Sequence, residues 1–290
     1  MSNLGMFAVF IRELTARSSQ PRALPPSSEL GARRILDAME RGGAVGGRTA
    51  AGYLYHSARI TQTIAGSKRC VDLGCGSGVQ LLQVAGLNPA IQFVGIDRNP
   101  DMLEVGAKRA TELGLSNVEW RVADLLSPIR LESKVDAAMS TMTLHDLPNT
   151  NALTQFVRTL RGILKPDGAI YIEDFARMRT ARSIDFFVGL NAPIPPDEFA
   201  ALYRCSLKAA FTRHELHAVC DGLPNTKLYS TFLVPFLIVI KTPDRILAHD
   251  ERAKFQEIRT ELPAAYRRDL DSLRRFFALG GLKNDPFQQQ

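Results

Sequence analysis

Val71-Asp72-Leu73-Gly74-Cys75-Gly76-Ser77-Gly78 carries a short apolar run directly into three glycines spaced two apart, and a helical stretch, Val79 to Gly86, follows at once. Glycine at such a turn removes the Cβ that would collide with a ligand, so the backbone can approach one closely. The same turn can also serve only to pack a strand against a helix. Its spacing is not the G-x-G-x-x-G dinucleotide fingerprint, because the third glycine comes one position early.

Outward from this loop the chain alternates strand and helix, as a parallel sheet with crossovers requires. Arg69 to Leu73, Ile91 to Ile96, Val118 to Ala123, Val135 to Ser140 and Ala169 to Glu173 read as five strands. Asn99-Pro100 supplies a cap and a first-turn proline for the second helix, and Gly114 closes it. Leu153, Phe156, Val157, Leu160 and Leu164 mark one face of a later helix that stops at the Pro166-Asp167-Gly168 turn. Thr226 to Leu233 and Phe236 to Lys241 form a late strand pair around Pro235, after a helix over Phe211 to Cys220.

Two acids extend the glycine loop. Asp97 ends the second strand 19 positions after Gly78, and Asp124 follows the third strand, so polar groups stand on one edge of the sheet at three successive strands. A carboxylate in the first of these places can accept both ribose hydroxyls of an adenosine.

In Val71 to Gly78, Val94-Gly-Ile-Asp97, Val122-Ala-Asp-Leu125, Ser140-Thr-Met-Thr-Leu-His-Asp-Leu-Pro148 and Leu164-Lys-Pro-Asp-Gly168, the chain resembles the class I S-adenosylmethionine-dependent methyltransferases, over about residues 68–243. The resemblance implies an α/β, doubly wound, seven-stranded and mostly parallel sheet of Rossmann-like type whose last two strands form an antiparallel hairpin. It implies S-adenosylmethionine as cofactor. Asp72 with Gly74, Cys75 and Gly76 would lie against its methionine part, Asp97 would hold the ribose, Arg98 would flank the adenine, and Asp124 with Leu125 would meet the adenine edge and face.

The fourth strand ends in Thr141-Met-Thr-Leu-His145-Asp146, where the family places groups near the transferred methyl. His145 is the candidate base or substrate contact with Asp146 beside it, although a histidine at such a bend can also simply pack. The Asn/Asp-Pro-Pro-aromatic signature of enzymes that methylate exocyclic nitrogens is absent. Glu173 and Asp174 end the fifth strand and face the same cleft or cap a helix. Residues 1–66 are expected to form an N-terminal helical cap or lid, in which Tyr55 and His56 would touch substrate and Arg59 the methionine carboxylate. An amphipathic helix explains the same three residues.

Within the methyltransferase domain, residues 67–243, the apolar stretch 177–210 lies where small-molecule methyltransferases, such as those of quinone biosynthesis, insert a substrate-covering element. Phe186, Phe187, Leu190, Phe199 and Tyr203 suit a pocket for a small, partly hydrophobic acceptor, or plain core packing.

The remainder is the N-terminal approach and the tail. A Ser- and Pro-rich linker over Arg17 to Ser28 leads to a helix from Ser28 to Met39, stopped by Gly42 to Gly47, and a second helical stretch from Thr49 to Ile64. Residues 244–290 form a helical tail interrupted near Pro263, whose face of Tyr266, Leu270, Leu273 and Phe277 either pairs two subunits as a homodimer or docks on its own domain.

Of the 290 residues, 45% are hydrophobic and 23% charged, which suits a globular core. No apolar run reaches the ~18 residues of a membrane span, and Met6 to Ile11 is too short for a signal-peptide core. A cytoplasmic location is expected. Four cysteines show no CxxC spacing, so no metal site is expected. The net charge of +6 admits an RNA methyltransferase as an alternative, but Lys and Arg are interleaved with acids. A third reading is a non-catalytic partner that keeps the fold for assembly.

Overall fold

The computed structural model describes residues 3–17, 19–24, 50–191 and 198–288. The expected helix from Ser28 to Met39, its glycine stop and residues 192–196 of the insertion lie outside them.

Strand β1 (Arg69–Leu73) is buried at its last four positions and flanked on both sides by parallel neighbours, which is why it reads as continuous apolar sequence. With β2 (Gln92–Asp97), β3 (Val118–Val122), β4 (Val135–Thr141), β5 (Leu164–Phe175), β6 (Lys227–Ser230) and β7 (Leu237–Lys241) it forms one seven-stranded sheet in the order β3-β2-β1-β4-β5-β7-β6. Strands β1 to β5 run parallel, and β7 is antiparallel to both β5 and β6. Strand order reverses between β1 and β4, the point at which open α/β sheets bind ligands beyond their carboxyl ends.

The expected elements appear with small changes of boundary. Helix α3 (Val79–Leu87) follows the glycine loop, and α4 (Pro100–Glu112) starts on the Asn99 cap, whose side chain accepts from the amides of Asp101 and Met102. Helix α5 (Thr150–Ile163) turns Ala152, Leu153, Phe156, Val157, Leu160 and Ile163 into the core. Leu164, expected on that face, instead opens β5. Its partner is Val135, and the next paired residues are Ala137 and Ala169. The Lys165 to Gly168 turn is therefore looped out within a longer strand, with Lys165 Nζ donating to Asp136 at 2.5 Å.

The sheet is covered by helices on both faces. Helix α2 (Ala50–Ile64) is buried at every position from Tyr55 to Ile64, including its polar residues, and packs on β5, α3 and the tail. Helix α1 (Asn3–Thr15) caps the insertion, because the Glu13 carboxylate accepts from the amides of Arg179 and Thr180 ahead of α6 (Ala181–Asn191). After α7 (Glu198–Ala209), helix α8 (Arg213–Gly222) begins with a reciprocal capping box between Thr212 and Glu215.

The tail divides at Pro263 into α9 (His249–Glu261) and α10 (Ala264–Leu279). Leu270, Leu273 and Phe277 of α10 are buried, and Phe277 stacks on Tyr55 of α2 with ring centroids 5.3 Å apart. The face considered for a homodimer is thus occupied within the chain. No helix of the described residues is long and apolar enough to cross a membrane.

Candidate active site

The loop after β1 is built from left-handed backbone, with φ of 77° at Gly74, 54° at Gly76 and 74° at Gly78. The amides of Gly74 and Cys75 both donate to Ile96 O, which fastens the loop to β2. Packing requires the outer glycines as well. A Cβ on Gly74 would lie 2.2 Å from Thr143 Cγ2, and one on Gly78 would lie 2.5 Å from Trp120 Cη2. Gly76 has room on its side-chain face, with nothing nearer than Met102 Cε at 3.4 Å, so its backbone conformation and open surface are what select it.

Three acids surround this loop differently. Asp72 is 1% exposed and its Oδ1 has no hydrogen-bond partner among the described residues. Desolvation, reinforced by the nearby Asp97 charge, pushes its carboxyl well above the usual range. Asp97 is partly exposed and accepts from Gly76 N and Asn99 N, both at 2.9 Å, one on each oxygen. Asp124 is exposed and caps the amide of Leu126, while Leu125 beside it is buried. Arg98 is exposed at the same edge. The Cys75 side chain turns inward, its Sγ 3.0 Å from where a Cβ on Gly95 would stand, and burial raises its thiol pKa.

His145 lies in a single 3-10 turn, Leu144–Asp146, reached through Met142 at φ 52°. A left-handed conformation at a non-glycine residue costs of order 1–3 kcal/mol and concentrates at functional sites. Asp174 of β5 holds the imidazole. Its Oδ1 lies 2.7 Å from Nδ1, and its Oδ2 accepts the His145 amide at 3.0 Å. Asp146, the neighbour suggested by sequence, stands 3.8 Å from Nε2 with most of its side chain in solvent. Burial opposes protonation of His145, but the charges of Asp174 and Asp146 and the Asp174 hydrogen bond outweigh it and push the pKa up to about 9.

On the other face of β5, Tyr171 Oη lies 2.7 Å from His56 Nδ1, and Glu173 Oε1 is 3.4 Å from His56 Nε2. Burial, with Arg59 adding to it, lowers the His56 pKa to about 3, and burial raises that of Glu173 well above the carboxylate range. His56 is therefore neutral near pH 7, and burial disfavours the charged form of Glu173. Neither His56 Nε2 nor Glu173 Oε1 makes a hydrogen bond to the described residues. Burial and the nearby Glu173 also push Tyr53 up to about 12 and raise Tyr203 of the insertion further.

Two expected substrate contacts are engaged elsewhere. Tyr55 is fully buried against Phe277. Arg59, also fully buried, donates to the carbonyls of Leu282, Lys283 and Asn284 and so clamps the C-terminal segment instead of a methionine carboxylate. Of the insertion aromatics, Phe187 is core, stacked on Phe236 at 4.1 Å. Phe199, Tyr203, Phe175 and His145 instead form a chain of ring contacts leading to the His145–Asp174 dyad.

Sequence reasoning missed Arg22, in the segment read as a linker. Its guanidinium donates to the carbonyls of His145 at 2.7 Å, Leu147 at 2.5 Å, Pro148 at 2.8 Å and Ala209 at 2.5 Å, and lies 3.8 Å over the Phe211 ring. No local pattern marks such a residue. Among the described residues, no group of three or more His, Cys, Asp or Glu side chains is placed to hold a metal ion.

The sheet order, the glycine loop at its switch point and the acids at three adjacent strand ends give the fold that the resemblance to class I methyltransferases implies. Residues 64–195 match the family model described as a methyltransferase domain. An uncharacterised methyltransferase of Emericella nidulans is 31% identical over 149 residues, 46% of this chain and 51% of that protein. A tRNA (guanine-N(7)-)-methyltransferase of Christiangramia forsetii is 30% identical over 114 residues, 36% of this chain and 49% of that protein. The chain thus spans about half the length of the curated relatives it matches. Among solved structures, the plantazolicin methyltransferase BpumL in complex with SAH superposes with a TM-score of 0.56 at 15% identity, covering 83% of this chain and 98% of that one, and so shares the fold.

Proposed function

We propose that this protein transfers the methyl group of S-adenosylmethionine to a small, partly hydrophobic acceptor. The observation that carries the reading is the buried, unpartnered Oδ1 of Asp72 beneath a loop of left-handed glycines. Such an acceptor atom is costly to leave unsatisfied and suits a donor brought by a ligand. On this reading Asp72 and the backbone of Gly74, Cys75 and Gly76 hold the methionine end. Asp97 accepts the ribose hydroxyls through lone pairs that Gly76 and Asn99 leave free. Arg98 and Asp124 flank the adenine, and Leu125 meets its face.

When bound, the cofactor supplies a methyl group on a sulfonium. The chain must then align a nucleophile in line with that methyl and exclude water. His145 would be the base for an acceptor that arrives protonated: Asp174 holds Nδ1, which leaves Nε2 to take the proton from the acceptor atom. Asp146 stands beside Nε2 at the mouth of the site. The neutral His56 beside Glu173 and the rings of Phe175, Tyr203 and Phe199 support an acceptor of low polarity with a hydrogen-bonding group.

Calorimetric titration with S-adenosylhomocysteine tests the cofactor assignment. Asp97→Ala is expected to weaken binding at least tenfold, and an unchanged affinity would refute it. The tRNA-modifying relative favours one competing reading, an RNA acceptor. Binding to RNA whose affinity falls steeply with salt would move the proposal there. A screen of acceptors with labelled cofactor separates both from a non-catalytic role.

A further inference from the structure

A cavity of about 310 Å³ opens between β6, β7 and the segment that follows α10, walled in part by Lys227, Tyr229, Lys241, Asp244, Gly281 and Lys283. It lies away from the catalytic edge, because Lys241 pairs with Tyr171 and the chain then continues past Ile170, toward the amino end of β5.

The charges around it do not balance. Lys227 and Lys241 are direct cross-strand partners, so two ammonium side chains stand on one face with Cβ atoms about 5 Å apart. Like charges in that relation destabilise a sheet unless something lies between them. Lys241 is 2% exposed and spends its bonds on Asp244 Oδ1 at 2.5 Å and Thr242 O at 2.8 Å. Asp244 is the one carboxylate among the described residues that line the cavity, and it also accepts from Asn284 Nδ2.

Behind the wall, the fully buried guanidinium of Arg59 is bonded to neutral oxygens alone: the carbonyls of Leu282, Lys283 and Asn284, the Gln62 amide and the Tyr55 hydroxyl. Among the described residues no carboxylate pairs with it, and Asp285, the next along the chain, is held by Arg274 at 2.7 Å. A buried cation without a counter-charge is expensive. Three ammonium side chains, Lys227, Lys241 and Lys283, thus line the open volume with the one carboxylate of Asp244, and the Arg59 guanidinium lies behind the Leu282 to Asn284 carbonyls.

We propose that this cavity binds a small phosphate-bearing anion. Ammonium groups meet phosphate as point charges that need no fixed bidentate geometry, and the Tyr229 hydroxyl and Asn284 amide add donors at the rim. The volume is at the lower end of ligand pockets, about 300 Å³, and suits a pyrophosphate or phosphorylated metabolite better than a nucleic acid strand. The site is independent of the cofactor reading.

The test titrates the full chain with pyrophosphate by calorimetry and by amide chemical shifts, against sodium chloride at matched ionic strength. The expected result is saturable binding, with shifts centred on Tyr229, Gly281 and Asn284. Lys227→Ala/Lys283→Ala removes two exposed ammoniums and is expected to weaken binding at least tenfold while leaving the far-ultraviolet spectrum and S-adenosylhomocysteine affinity unchanged. No saturable binding by 20 mM pyrophosphate, binding within twofold of wild type in the double variant, or shifts centred on Gly74 to Gly78 would each overturn the proposal.

Discussion

Replacing Asp174 by Asn isolates the electrostatic half of the His145 dyad, because the amide keeps the size of the carboxyl and one acceptor oxygen but carries no charge. In the wild-type protein the His145 pKa stands at about 9 against an ordinary 6.5, and at 1.36 kcal/mol per pH unit that gap corresponds to about 3 kcal/mol favouring the imidazolium. Burial and the Arg22 charge act in the opposite direction, so with Asp174 neutral the balance reverses, even with Asp146 present. Nitrogen-15 histidine correlation spectra, with His145→Gln to assign one of the five histidines, are expected to give a midpoint near 9 in wild type and below 6.5 in Asp174→Asn. The sign carries over to stability. A histidine whose folded pKa is raised contributes stabilisation that is complete below the unfolded value of about 6.5 and is lost as pH rises through about 9. His56, depressed to about 3, works the other way: its contribution is present above 6.5 and is lost as pH falls toward 3. Wild-type kcat/KM with a protonated acceptor should likewise climb toward pH 9, as Nε2 becomes free to take a proton. A wild-type midpoint under 7.5, or one that Asp174→Asn leaves within one pH unit, would refute the coupling.

Arg22→Ala removes three bonds to carbonyls at the His145 turn and a fourth to Ala209, and at about 1.5–3 kcal/mol for a hydrogen bond to a charged group it should speed amide exchange across Leu144 to Leu147 by tenfold or more; exchange mass spectrometry reads this directly, and an unchanged rate would show that the strap does not hold the turn. Gly78→Ala forces a Cβ to within 2.5 Å of Trp120 at a φ of 74°, so urea unfolding should show a loss of about 2–4 kcal/mol. Gly76→Ala meets only Met102 at 3.4 Å and should cost less stability, its effect appearing instead as weaker S-adenosylhomocysteine binding.

The cofactor edge was legible in the sequence because its information is local. A strand buried on both faces is a continuous apolar run, glycines mark where the backbone turns left-handed, and acids at fixed distances beyond them fall on one edge as soon as the sheet is parallel. The same reasoning failed in α2. A helix buried on every side has no polar face to distinguish, so Tyr55 and Arg59 read either as cleft residues or as part of an amphipathic helix, when their partners, Phe277 and the carbonyls of 282–284, lie more than 200 positions away. Arg22 was invisible for the same reason, since its acceptors near His145 lie over 120 positions away.

Glu173 and Asp174 show where legibility ends. The sequence left them facing one cleft or capping a helix, but consecutive residues of a strand point to opposite faces of the sheet. Asp174 therefore meets His145 beyond β4, while Glu173 shares its face with Tyr171 and meets His56 of α2. The assignment is fixed by the pairing of Thr141 with Glu173, and a shift of one residue between β4 and β5 would exchange the two acids. Asp174 would then lose its histidine, and a charged Glu173 would lie against a loop that supplies the backbone amide and imidazole only at the present register. The looped-out Lys165 to Gly168 segment sets that register, because it absorbs the length mismatch before Ala169 pairs with Ala137. A motif read as the end of a helix thus determines, from the far end of the strand, which carboxylate serves the candidate base.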